Sequence, residues 1–181
     1  LDLRTPDGRM VSLRSWPEDT AWAAAVRTKV DAALPELVAL LGTPMPPNAL
    51  KTIDESSTGT EYAGFYDKAT DAITVGEDFA QPSLVEHELA HVWFNGGAFA
   101  ETWLNEGFAE WAGRAVAGDE DACTEPERGA AAMTLARWSY IGPRSTEEER
   151  LYVADQYEAA CHVITAIAEA AGEAGMQAAV A

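Results

Sequence analysis

Two histidines four residues apart, His87 and His91 in the stretch LVEHELAHVWF, constrain this chain more than any other feature. An α-helix turns about 100° per residue, so residues four apart point the same way, one turn apart. Two imidazoles so placed can chelate one cation. The following stretch, ETWLNEGFAEW, offers a further donor in Glu106. For Glu106 to come back over His87 and His91, the chain must run here as helix, turn and antiparallel helix.

The rest of the pattern fits around that pair. LDLRTPDGRMVSLRSW reads as a hairpin, apolar alternation on either side of a Pro-Asp-Gly turn. A helix is expected from Glu18 to Leu41, stopped by Gly42, with Pro35 kinking or splitting it. ALKTIDESS, EYAGFYD and DAITVGE read as three strands, the last two a hairpin across Lys68-Ala69-Thr70. Pro82-Ser83 opens a helix to about Phe94 that stops at Gly96-Gly97, and Thr102 caps the next, which runs to about Ala117. Pro126 suits the first turn of a third, ending near Trp138. Ser145-Thr146-Glu147-Glu148 is a capping box for a fourth, reaching about Ala171 before a helical tail. Sheet first, then helices, predicts one α+β domain over residues 1–181. A small mixed β-sheet fills residues 1–80, with the hairpin and first helix, and a helical half fills 81–181.

Charge narrows the partners. With 12 Lys and Arg against 30 Asp and Glu, the formal charge is −18. Such a surface repels phosphate backbones and anionic lipid, so nucleic acid is not expected as a partner. No apolar run reaches the roughly 18 residues of a membrane span. Cys123 and Cys161 form no Cys-x-x-Cys pair, which argues against a cysteine zinc site. They leave two readings open: one disulfide in an exported chain, or two separate buried thiols. The chain opens at Leu1 without a Met, as expected of an excised fragment truncated at both ends that has lost a flanking domain. Acidity and a disulfide would favour an extracytoplasmic location over a cytoplasmic one.

His-Glu-x-x-His has a mechanical meaning. Glu88 lies about 60° round the helix from His91, close enough to reach a water on the metal without being a ligand. An open zinc site needs a third protein ligand and leaves the fourth position for water. Glu106 sits among Trp103, Leu104, Phe108 and Trp111, an apolar setting in which a carboxylate needs a partner, and a dication is a natural one. Glu110, one turn further on, either accepts the free ring N–H of a ligating histidine or is solvated. Glu86 is expected to be solvated, and Leu84, Leu89, Val92 and Phe94 to pack.

HELAHVWFNG followed by WLNEGFAEW resembles the gluzincins, zinc metallopeptidases with two histidines and a glutamate as ligands. It is most similar to the branch holding the zinc aminopeptidases and the bacterial peptidase MA-like domains. The motifs span Glu86 to Trp111, and AGFYDKATDAITV looks like the strand pair before the zinc helix. The resemblance implies a zincin-like metallopeptidase catalytic domain. It implies one Zn2+ per chain on His87, His91 and Glu106, with Glu88 as general base. It also implies an oxyanion-stabilising tyrosine on a later helix, and YEAACHVITAI puts Tyr157 in that role. Two departures stand out. The gap from His91 to Glu106 is shorter than in typical aminopeptidases, and no Gly-Ala-Met-Glu-Asn box is present to anchor a free amino terminus.

A phenol that stays protonated at neutral pH suits an oxyanion donor, which favours Tyr157. His162 is the rival, but it lies about 140° round the helix, so both cannot face the metal. Tyr152 and Tyr140 are weaker candidates. DAITVG is either an edge strand that pairs with an extended substrate through Ile73, Thr74 and Val75, or an interior strand. The expected activity is zinc-dependent hydrolysis of a peptide or protein substrate. The alternatives are a non-peptide substrate, an inactive zinc-stabilised module descended from a peptidase, or a metal-free helical scaffold.

Overall fold

The computed structural model describes residues 1–57, 63–77, 82–119, 123, 135–138 and 146–180. Among these, the fold is mixed α/β, a small mixed five-stranded sheet with four helices. β1 (Asp2–Arg4) and β2 (Met10–Arg14) form the expected antiparallel hairpin. Its turn closes through Gly8, whose φ of 86° suits the one residue without a Cβ. α1 (Thr20–Leu41) then crosses the sheet. Asp19 caps it by accepting from the Trp22 amide, and Gly42 ends it in the left-handed conformation. Pro35 does not split α1. It faces solvent, opposite the buried Leu34, Leu37 and Leu41 that hold the helix on the core.

β3 (Thr52–Ser56) lies parallel to β2, and β5 (Ala72–Gly76) parallel to β3. β4 (Gly64–Asp67) pairs antiparallel with β5 as the expected hairpin. The order β1-β2-β3-β5-β4 puts β5 inside the sheet, with both its edges paired. Ile73, Thr74 and Val75 therefore have no free backbone for a substrate, and among the described residues the sheet edge beside the helical half is β4 instead. Val11, Leu13, Ile53, Ile73 and Val75 alternate onto one face and join Trp22, Val26 and Val30 of α1 in the core. The Trp22 indole donates to the Gly76 carbonyl at 3.0 Å and locks α1 to the end of β5.

α2 (Leu84–Ala90) is shorter than its sequence suggests. The Asn95 side chain reaches back to the carbonyls of His91 (3.0 Å) and Val92 (3.3 Å), and tight turns replace the helix from His91 on. All seven residues of α2 are buried, and so are Val92 and Phe94. Glu86 is among them and is not solvated. Lys29 of α1 meets its carboxylate at 2.9 Å. α3 (Thr102–Ala117) has Glu101 rather than Thr102 at its cap, and ends at Gly118 in the left-handed conformation. The helix expected from Pro126 lies outside the described residues except at 135–138, where the backbone is turn and irregular. α4 (Glu147–Val180) breaks at Gly172, just past the expected end at Ala171. Its described capping box is Thr146 with Glu149, one residue later than expected, while Ser145 lies outside the described residues.

Candidate metal centre

α2 and α3 carry the site, and a glycine sets their spacing. A Cβ on Gly113 of α3 would fall 2.6 Å from the His87 nitrogen and 2.7 Å from its Cα, so only glycine admits the backbone of α2 this close. Gly107 acts similarly on the adjoining face of α3, with Ala160 of α4 at 3.1 Å from the position of its missing Cβ. Phe94 and Phe99 stack with Phe108 at centroid distances of 4.9 and 5.1 Å. This apolar stack pins the turn between the helices and fixes which residues of α3 face α2.

The result is a convergence of three donors. His87 Nε2 and His91 Nε2 are 3.1 Å apart, and Glu106 Oε2 lies 3.4 Å from the first and 3.3 Å from the second. Each ring is turned by what its other nitrogen meets. His91 Nδ1 donates to the Phe94 carbonyl at 2.7 Å, which leaves the Nε2 lone pair facing Glu106. His87 Nδ1 lies 2.7 Å from Glu110 Oε2, a short contact that is off the axis of the ring N–H. Of the two expectations for Glu110, the contact with a histidine is the one observed. His87, His91 and Glu106 form a group able to hold a metal ion.

The electrostatics are those of a tightly coupled cluster. Burial alone would push both histidines down, but the contacts with Glu106, and for His87 also Glu110, outweigh it and hold them above their ordinary value. Burial would raise Glu106 and Glu110, but the histidines outweigh it, drawing Glu106 far down and Glu110 to about 2. Glu88 behaves differently. It is only 4% exposed, and burial raises its carboxyl against the pull of His87 and His91. Its Oε2 is buried without a hydrogen-bond partner among the described residues.

These groups open onto a cavity of about 430 Å³. One wall is the edge strand, where Gly64 packs under Glu88: a Cβ there would sit 2.9 Å from both the Cγ and Oε1 of the glutamate. Phe65, 48% exposed, stands on the rim. Tyr157 of α4 also lines the cavity, its ring centroid 6.1 Å from that of His87 and 5.0 Å from that of Trp138. His162 faces away, its Nδ1 3.3 Å from the Cys123 carbonyl. Tyr152 is exposed and lines no part of this cavity, and Tyr140 lies outside the described residues. Cys123 and Cys161 are joined in a disulfide.

Sequence reasoning missed four contributors. Asn95 was readable as a helix stop from Asn-Gly-Gly, and Arg114 as an i,i+4 partner of Glu110. Gly64 and Gly113 carried no signal, because their role depends on a neighbour distant in the chain.

Fold and donor set together define a mixed α/β domain with a His/His/Glu group that could bind a metal ion. The chain matches no protein-family model and no curated protein.

Proposed function

We propose that this protein is a zinc-dependent metallopeptidase, with His87, His91 and Glu106 as the ligands of one zinc ion per chain. The observation that carries the reading is the three-donor triangle beside an unpartnered, buried Glu88 oxygen. Donors at about 2.0–2.1 Å from one tetrahedral ion stand about 3.3 Å apart. The triangle's edges are 3.1, 3.3 and 3.4 Å. Two imidazoles and one carboxylate, with the fourth side open to a cavity, suit a catalytic zinc better than a closed structural one. The resemblance of HELAHVWFNG and WLNEGFAEW to the gluzincins, and hence a zincin-like domain, supports the same reading.

Zinc held there supplies Lewis acidity: it polarises a carbonyl and brings the pKa of a water to about 7. The chain's own residues do the rest. Glu88 takes the proton of the attacking water and passes it to the leaving amine. Its raised pKa and its place against the edge strand suit that exchange. Tyr157 donates to the oxyanion that forms as the carbonyl is attacked. β4, an edge strand among the described residues, offers that edge to an extended peptide, which lays the scissile bond across the cavity.

Glu88→Gln keeps the shape of the site and removes the base. Elemental analysis should find about one zinc in both proteins, and hydrolysis of a peptide library should fall by roughly 10²–10⁴-fold in the variant. A chelator should abolish wild-type cleavage. Full activity in Glu88→Gln, or a wild-type protein without zinc, would sink the proposal. Cleavage of esters but not peptides would move the reading to a non-peptide substrate.

A further inference from the structure

Behind His87, away from the cavity, a row of charged side chains crosses from α2 through α3 to α4. Glu110 Oε2 faces His87 Nδ1 at 2.7 Å. Its other oxygen, Oε1, accepts from Arg114 Nε at 2.6 Å. The far edge of the same guanidinium reaches α4, where Nη1 donates to Glu158 Oε2 at 3.2 Å and Nη2 donates to Oε1. One planar cation thus grips a carboxylate on each of two helices. Glu158 directly follows Tyr157, and Gly113, which touches the His87 backbone, directly precedes Arg114.

We propose that Arg114 is a positioning residue for the metal centre, holding Glu110 against His87 and tying that ligand to the helix that carries Tyr157. This rests on the zinc-hydrolase reading above. The physical reason lies in the shape of the guanidinium. Its Nε edge and its Nη edge donate in different directions from one rigid plane, so Glu110 and Glu158 are fixed relative to each other. A lysine offers one point charge and cannot span both. The Arg114 side chain is 14% exposed, so solvent competes little for either contact. Without Arg114, Glu110 is free to turn from the His87 ring, and the ring loses the contact that keeps Nε2 aimed at Glu106 and His91. If Arg114 only braced α3 against α4, its loss would lower thermal stability and leave metal affinity as it was.

The test is zinc affinity by chelator competition, alongside steady-state kinetics on a cleaved peptide, for the full chain. Arg114→Met should weaken zinc binding by about tenfold, in the range set by loss of an outer partner of a ligand, and Arg114→Lys should not restore it. kcat should fall while KM stays within about twofold. Arg114→Met added to Glu110→Gln should cost little more zinc affinity than Glu110→Gln alone, since both act through the same ring. Glu158→Gln, on another helix and more exposed, should weaken zinc binding about threefold, and it carries the test should the Arg114 variants not fold. Zinc affinities of the folded variants within about twofold of a zinc-binding wild type, or additive losses in the double variant, would overturn the role of Arg114 alone. A wild-type protein that binds no zinc would overturn the metal reading and this one with it.

Discussion

Single atoms decide what this cavity can do, and Tyr157 is the clearest case. Its ring lies near two others, T-shaped to Trp138 and tilted to His87. Tyr157→Phe keeps those contacts and removes only the hydroxyl. On the proposed mechanism this removes one oxyanion donor, and kcat on a cleaved peptide should fall by roughly 10²–10³-fold with KM little changed. An unchanged kcat would remove Tyr157 from the mechanism. At this scale the sequence was informative where chemistry depends on a local pattern. His87 and His91 are brought together by helix geometry alone, and Glu106 by one turn and a return. It was misleading at Glu86, whose neighbours in sequence give no hint of Lys29, which arrives from α1. Nor do the neighbours of Glu158 in sequence hint at Arg114, which reaches it from α3.

At the scale of elements, the distance between α2 and α3 is the controlling quantity. Gly113→Ala would place a methyl carbon against the His87 backbone, where neither side can yield by turning a side chain. The two helices must separate, at a cost of about 2–3 kcal/mol of overpacking, and the donor triangle must widen with them. Denaturant unfolding and zinc affinity should therefore both fall in Gly113→Ala. A surface alanine substitution at Gly118, whose missing Cβ meets nothing within 4 Å, should cost stability through its positive φ but leave zinc affinity alone. Elements with local punctuation were legible: Gly42 ends α1, Gly118 ends α3, and Gly172 breaks α4. Strand order was not. That β4 rather than β5 forms the edge depends on pairing between residues far apart in the chain, and no periodicity within DAITVG encodes it.

For the molecule as a whole, five titrating groups at the site make stability depend on pH. The folded-state pKa values of His87 and His91 are raised above 6.5, so their contribution is complete below that value and is lost as pH rises through the raised ones. Glu106 and Glu110 are lowered from 4.5, so theirs is complete above 4.5 and is lost as pH falls towards the lowered values. Both are present together between 4.5 and 6.5. Glu88, raised by burial, adds a cost that grows above 4.5 and moves the optimum towards the acid end of that window. Zinc on the proposed ligands would require both imidazoles neutral, so it should bind more tightly as pH rises. Thermal unfolding of the metal-free protein should show a midpoint that falls from pH 6 to pH 8.5, by roughly a few degrees. The separation between zinc-loaded and metal-free midpoints should widen over the same range. A metal-free midpoint that rose with pH would contradict the histidine–carboxylate coupling described above. The charge of −18 sets the background to this behaviour, since an acidic surface everywhere favours proton and cation uptake.

Every residue of α2 is buried, between α1 on one side and α3 on the other. Such a segment has no exposed face from which to fray. Its amide hydrogens can meet solvent only when the surrounding helices part, so their exchange should follow global unfolding rather than a local fluctuation. For an ion held as proposed, release and opening of the fold would then be separate events: the donors would stay arranged without it, and a new ion would meet a site already assembled.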